Sequence, residues 1–169
     1  MPYPDEPTTG RIRAISNRLY DWTIDFLDEY GYDEHTVSLN PDLDITQVRD
    51  MPCFTIKAYD ARYEREPYGR RFNGNNKGIW AYYPFTVFIY HWRNELDDPE
   101  ISHNYDLHIL VDRYLAYLHS KNRDVVERTV HNIVGVEDLT ARESDPIGVR
   151  NLVRMIVSGT VKAIRMDSG

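Results

Sequence analysis

Ile79-Trp80-Ala81-Tyr82-Tyr83-Pro84-Phe85-Thr86-Val87-Phe88-Ile89-Tyr90-His91-Trp92 is the most apolar stretch of the chain, and its reading decides the fold. Trp80, Tyr82, Phe88, Tyr90 and Trp92 share one parity, while Ile79, Ala81, Tyr83, Phe85, Val87, Ile89 and His91 share the other. At the two-residue period of a strand, both faces are covered. Extended at about 3.3 Å per residue, the stretch spans roughly 45 Å, more than a strand usually does, and is expected to project beyond the body of its domain. Pro84 has no N–H for the ladder, so a bulge or a change of pairing partner is expected beside it.

Upstream, Pro52 to Tyr59 alternates in the same way, with Phe54, Ile56 and Ala58 on one side and Thr55, Lys57 and Tyr59 on the other. It reads as a half-buried strand near a sheet edge. Between the two strands lie Gly69, Asn73-Gly74-Asn75-Asn76 and Gly78, which is turn chemistry, so Pro52 to Trp92 is expected to form one long antiparallel hairpin. Its tip, residues 61–78, holds Arg62, Arg65, Arg70, Arg71 and Lys77 against only Glu64 and Glu66. That leaves the tip at +3, against −10 for the rest of the chain.

Further out, Ile12, Ile15, Leu19, Trp22, Phe26 and Tyr30 recur at steps of three and four, which predicts a helix from about Gly10 to Tyr30. Thr8 and Thr9 are natural caps before it, and Gly31 is a natural stop. Tyr32 to Asp50 is polar and acidic and reads as a long connection. Asp97-Asp98-Pro99-Glu100 signals a second helix running to about Ser120, with Tyr105, His108, Val111, Leu115 and Leu118 on one stripe and Ile101, Leu107, Leu110 and Tyr114 widening it. Thr129 to Val136 and Leu152 to Ile164 read as two more strands, and Gly159 in the last one marks an expected bulge. The predicted fold class is α+β: an antiparallel sheet of about four strands, a long protruding hairpin, and two helices packed on one face. Residues 1–169 are expected to make a single domain with residues 1–9 as an amino-terminal tail.

The composition agrees with one folded domain. Of 169 residues, 41% are hydrophobic and 13 are tyrosine, enough burial potential to exclude a wholly disordered chain. The formal charge of −7 argues against a surface dominated by phosphate binding. No apolar run approaches the length that spans a bilayer, and Met1 to Pro7 lacks the features of a signal peptide, so a soluble protein without a membrane partner is expected. The single cysteine, Cys53, reads as a small buried hydrophobe.

Spacings give little support to catalysis. His103 and His108 are five apart and diverge around a helix, and His91 and His108 read as packed side chains. Asn73 to Gly78 lies between strands and lacks the helix amino terminus of a phosphate cradle. No nucleophile motif is present, and no enzyme activity, cofactor or metal is expected; a small enzyme built on His91, His108 and neighbouring carboxylates is the third-ranked reading. The distinctive feature is the hairpin tip, where Tyr63, Tyr68 and Phe72 interleave with arginines in the manner of interface anchors and of surfaces that grip single-stranded nucleic acid. A basic arm on an acidic body is complementary to a second copy of itself, and a head-to-tail contact of that kind can close a ring.

In element order, the chain resembles the tail terminator and related tail-completion proteins of long-tailed bacteriophages. The likeness rests on the helix Arg11 to Tyr30, the hairpin Pro52 to Trp92 ending in Phe85-Thr-Val-Phe-Ile-Tyr-His-Trp92, the helix Glu100 to Ser120 with Asp112-Arg-Tyr-Leu-Ala-Tyr-Leu118, and the closing strand Val153-Arg-Met-Ile-Val-Ser-Gly-Thr-Val161. The resemblance implies a structural virion protein that assembles in the host cytoplasm as a ring, hexameric in that family. Such a ring caps the tail tube, ends its polymerisation and joins the tail to the head-tail connector or neck protein. The genome passes through the lumen without specific binding, as a net negative wall favours. On this reading the homo-oligomer and tail tube protein contacts fall to Arg62, Arg65, Tyr68, Arg70, Arg71, Phe72 and Lys77. The alternative is a nucleic-acid-binding module using the basic, aromatic hairpin 61–78.

Overall fold

A computed structural model describes residues 11–40, 42–65, 71–72, 76–92, 103–121, 133–145, 148–149 and 152–166. The chain is α+β. In order it forms α1 (Arg11–Glu29), β1 (Thr36–Ser38), a 3-10 turn (Ile45–Gln47), β2 (Cys53–Ala58), β3 (Arg62–Arg65), β4 (Arg71–Phe72), β5 (Asn76–Trp92), α2 (His103–Ser120), β6 (Ile133–Glu143) and β7 (Leu152–Met166).

The predicted first helix stands at Arg11–Glu29 and stops where Gly31 adopts φ +76. Tyr32 N–H donates to Leu27 C=O at 2.9 Å and Gly31 N–H to Asp28 C=O at 3.2 Å, the paired bonds of a Schellman cap. The Tyr32 ring closes that cap against Phe26, with centroids 6.4 Å apart. Thr8 and Thr9, Asp97 to Glu100, and the 1–9 tail lie outside the described residues.

β5 organises the sheet. Its 17 residues pair antiparallel with β2, β3 and β4 along one side and with all of β7 along the other. The sheet is larger than the four antiparallel strands expected from sequence: the order is β1-β2-β5-β7-β6, with β3 and β4 continuing the pairing on β5, and β1 runs parallel to β2. The extra strands are short: β1 has three residues and β4 two, too few to show an alternating pattern.

The Pro52 to Trp92 hairpin and its break at Pro84 both follow the sequence reading. Ala58 faces Phe85 and Arg62 faces Tyr82, so Tyr59, Asp60 and Ala61 stand opposite only Tyr83 and Pro84. One residue is in excess there, and β5 changes partner from β2 to β3. Tyr59 N–H still donates to Pro84 C=O at 2.9 Å, which uses the acceptor that proline retains.

Two sequence expectations need correction at the far side of the sheet. β6 runs on to Glu143, seven residues past the predicted end at Val136, so Glu137 to Glu143 is strand and not connection. Its second half is solvent-exposed at the sheet margin, and a strand without a buried face carries no hydrophobic signal. The bulge expected at Gly159 is made by its partner: Glu137 faces Thr160 and Thr140 faces Ser158, leaving Asp138 and Leu139 opposite Gly159 alone, with Asp138 at φ 55.

Both helices lie on one face. Ile15, Leu19, Trp22, Phe26 and Leu27 of α1 share one buried core with Leu107, Leu110, Val111, Tyr114 and Leu118 of α2 and with the odd-numbered residues of β5 from Ala81 to Ile89. The ends of the predicted α1 stripe, Ile12 and Tyr30, are exposed. A smaller cluster, Cys53, Tyr90 and Leu152, sits on the opposite face beneath Leu43, Ile45, Val48 and Met51 of the acidic connection. Asp44 holds that connection folded by accepting from Thr46 N–H at 3.0 Å and Thr46 Oγ1 at 2.6 Å. No helix among the described residues is long and apolar enough to cross a membrane.

Candidate interaction surface

Strand alternation sends Trp80, Tyr82, Thr86 and Phe88 of β5 to the helix-free face, together with Arg154, Ser158, Thr160 and Lys162 of β7. Among the described residues, the connection covers the end of this face near Tyr90 and Trp92. The sequence expectation of a strand covered on both sides therefore holds at one end. Elsewhere Trp80, Tyr82 and Phe88 are half-buried and, among the described residues, carry cations over their rings.

One row of the sheet shows the pattern. Arg62 faces Tyr82 on β5, and Tyr82 faces Lys162 on β7, so two cations from opposite neighbours flank one ring. The Arg62 guanidinium carbon is 5.1 Å from the Tyr82 centroid and Lys162 Nζ is 5.7 Å from it. Lys162 lies closer still, at 4.3 Å, to the Trp80 ring, and sits 3.6 Å from Glu137 Oε1 on β6. Nearer the covered end, Arg154 lies 5.2 Å from the Phe88 centroid and donates from Nε to Ser144 Oγ at 3.0 Å. Each such cation–π contact contributes about 0.5–1 kcal/mol when exposed, and more when a partner excludes water from it.

The face is polarised against the charge of the chain. It carries Lys57, Arg62, Arg142, Arg154 and Lys162 against Glu137 and Glu64, the latter standing opposite Trp80 in the register. Cations seated on aromatic rings pack their apolar stems while keeping their charge, an arrangement suited to binding an acidic partner.

Of the residues expected at an interface from sequence, Arg62 belongs to this face. Arg65 stands opposite Ile79, Arg71 opposite Lys77 and Phe72 opposite Asn76, within paired strands. Tyr68 and Arg70 lie outside the described residues. Residues 73–75, between β4 and the start of β5 in sequence, lie outside the described residues. Lys57, Arg154 and Lys162 were missed by sequence reasoning. Their signal was the polar parity of their strands: Arg154, Ser158, Thr160 and Lys162 alternate with Val153, Met155, Val157 and Val161.

The groups considered for chemistry are dispersed. Cys53 is fully buried, and burial pushes its thiol up to about 11, so it packs as the small hydrophobe expected. His108, expected on the packed stripe of α2, is exposed, because the buried stripe runs through Leu107, Leu110, Val111, Tyr114 and Leu118. His91 is half-buried on β5. Among the described residues, no three His, Cys, Asp or Glu side chains gather where they could hold a metal ion. A search of known protein-family models and of curated protein sequences gives no match to this chain.

Proposed function

We propose that the chain is a non-catalytic structural subunit of a bacteriophage tail or neck. Identical copies form a ring that caps the tail tube, ends its polymerisation and joins the tail to the head connector. The observation that carries this reading is the basic and aromatic sheet face on an acidic chain: an extended ladder whose rings Trp80, Tyr82 and Phe88 carry Arg62, Arg154 and Lys162. Such a surface works by geometry. A long β5–β7 ladder resists deformation, the aromatic and cationic row supplies contact area, and the net negative remainder repels the passing genome.

The rival reading, a nucleic-acid-binding module, draws on the same Arg62, Tyr82 and Lys162 row, since aromatic rings with flanking cations also receive bases and phosphates. Sedimentation of the purified chain, with and without tail tube protein, followed by electron imaging, separates the two. The ring reading expects a defined oligomer without nucleic acid and tubes whose growth stops when the chain is added. A chain that stays monomeric beside tube protein, yet binds single-stranded oligonucleotides with an affinity that falls steeply with salt, overturns it.

A further inference from the structure

We infer that residues 39–51 form a strap that lifts as a unit from the intact sheet and governs access to the Tyr90 end of the helix-free face. The inference goes beyond the ring reading and holds whichever partner the face meets. What the strap covers is buried more completely than the strap itself. Cys53 is 0% exposed and Tyr90 and Leu152 are each 8% exposed, whereas no described residue from Leu39 to Met51 is fully buried. Leu43, Ile45, Val48 and Met51 are half-buried against that cluster, and the polar residues between them are exposed.

Two features let the strap move without the sheet. Among the described residues, the hydrogen bonds of Asp42 to Val48 close within residues 40–48. Leu43 N–H donates to Asn40 C=O at 3.3 Å, Gln47 N–H to Asp44 C=O at 3.1 Å and Val48 N–H to Ile45 C=O at 3.2 Å, while the side chains of Asn40 and Asp44 accept from Asp42 N–H and Thr46 N–H. Lifting the strap breaks none of these. Its two ends, by contrast, are pinned together beside β1. Thr36 N–H donates to Pro52 C=O at 3.0 Å and Thr36 Oγ1 to Asp50 C=O at 2.9 Å, and β1 stays paired with Cys53, Phe54 and Thr55. A surface loop with joined ends and its own internal bonds is a compact unit of the Ω type. Held to the sheet by a few half-buried apolar side chains, such a unit opens at a lower free energy than the core strands beneath it. Opening bares Cys53, Tyr90 and Leu152 beside Phe88 and Trp92, so the aromatic row of β5 then runs on from Phe88 through Tyr90 to Trp92. A ligand for that end meets it only in the open fraction of chains, and its apparent affinity falls by that fraction.

Cys53, beneath the strap, reports the motion. The full chain is labelled with an aromatic disulfide reagent at concentrations where the rate is proportional to reagent, so that the rate measures the open population. In wild type, the opening constant read from labelling is expected to exceed the global unfolding constant from urea titration about tenfold or more, with a weaker dependence on urea. Equal constants with equal urea dependence overturn the inference. Two variants assign the motion to the strap. Asp44→Ala removes the side chain that holds Thr46 N–H and is expected to speed labelling about fivefold. Thr23→Val breaks the buried bond to Tyr114 between the helices and is expected to leave the labelling rate unchanged, because that core stays folded when the strap lifts. Labelling that ignores Asp44→Ala, or that quickens with Thr23→Val as global stability falls, overturns the strap as the gate. Where a variant fails to fold, the wild-type comparison alone decides.

Discussion

Thr23 Oγ1 and Tyr114 Oη lie 2.8 Å apart, a hydrogen bond joining α1 to α2 inside an otherwise apolar core where both residues are fully buried. Thr23 donates its single proton to Leu19 C=O at 2.7 Å, so Tyr114 is the donor in the interhelical bond. The rings around it fix the tyrosine: Phe26 lies 5.2 Å and Phe54 5.1 Å from its centroid. Burial also drives the phenol well above its ordinary range and keeps it a donor.

The two partners are unequal when deleted. Thr23→Val leaves the Tyr114 hydroxyl buried without its acceptor and is expected to cost about 1–3 kcal/mol, whereas Tyr114→Phe leaves Thr23 bonded to Leu19 and is expected to cost about 1 kcal/mol. In urea denaturation the double variant should cost less than the sum of the singles. Strict additivity would show that the bond contributes nothing.

Cys53 gives the fold a signature in alkaline solution. Its thiol is raised from 9.0 to about 11, so the unfolded chain loses this proton near pH 9 while the native chain holds it. The stabilisation is fully present below pH 9 and is lost as pH rises toward 11, with a slope approaching about 1.4 kcal/mol per pH unit. Urea midpoints for wild type and Cys53→Ala, compared from about pH 8 to about pH 10.5, should converge as pH rises. At about pH 8 a thiol reagent should label the native protein far more slowly than the denatured one. Equal labelling rates would contradict the burial.

Gly31 closes α1 at φ +76 with open space around the position a Cβ would take. Gly31→Ala therefore meets no neighbour, and its cost is conformational alone, about 1 kcal/mol. A fall in helix signal at 222 nm before global unfolding would report fraying of the last turn. An unchanged melting curve would mean that Tyr32 holds the turn without the left-handed residue.

Local chemistry made the helices and the hairpin legible, whereas long-range pairing decided what was missed. The α1 boundaries could be read because Gly31 and the three-four spacing from Ile15 to Phe26 act within one helix. The partner change at Pro84 was equally legible, since a missing N–H is a property of the residue itself. β1 was not, because Thr36–Ser38 is a strand only by lying parallel to Cys53–Thr55. Within the site, Arg62 stood out through its basic neighbourhood, but Lys162 is a hundred positions away in sequence and joins Tyr82 only through the β5–β7 register. Its role is a product of the fold, as is the exposure of His108.

Gly159 shows the same division, because the sequence marks the residue and the structure supplies the reason. It faces Phe85 across the ladder, and a Cβ there would lie 2.8 Å from Phe85 Cζ and 2.8 Å from Leu139 Cδ2. The missing side chain makes room for the ring from one strand and for the bulged leucine from the other. Gly159→Ala is expected to cost about 1–3 kcal/mol through overpacking, with Leu139 able to turn aside more readily than the buried ring. Phe85→Leu alone should also destabilise, by leaving a void beneath α1 and α2. Combined, the two changes fill and vacate the same space, so the double variant should be more stable than the sum of the singles predicts, by about 0.5 kcal/mol or more in urea midpoints. Additive costs would mean that backbone pairing, and not the ring, excludes a side chain at this position.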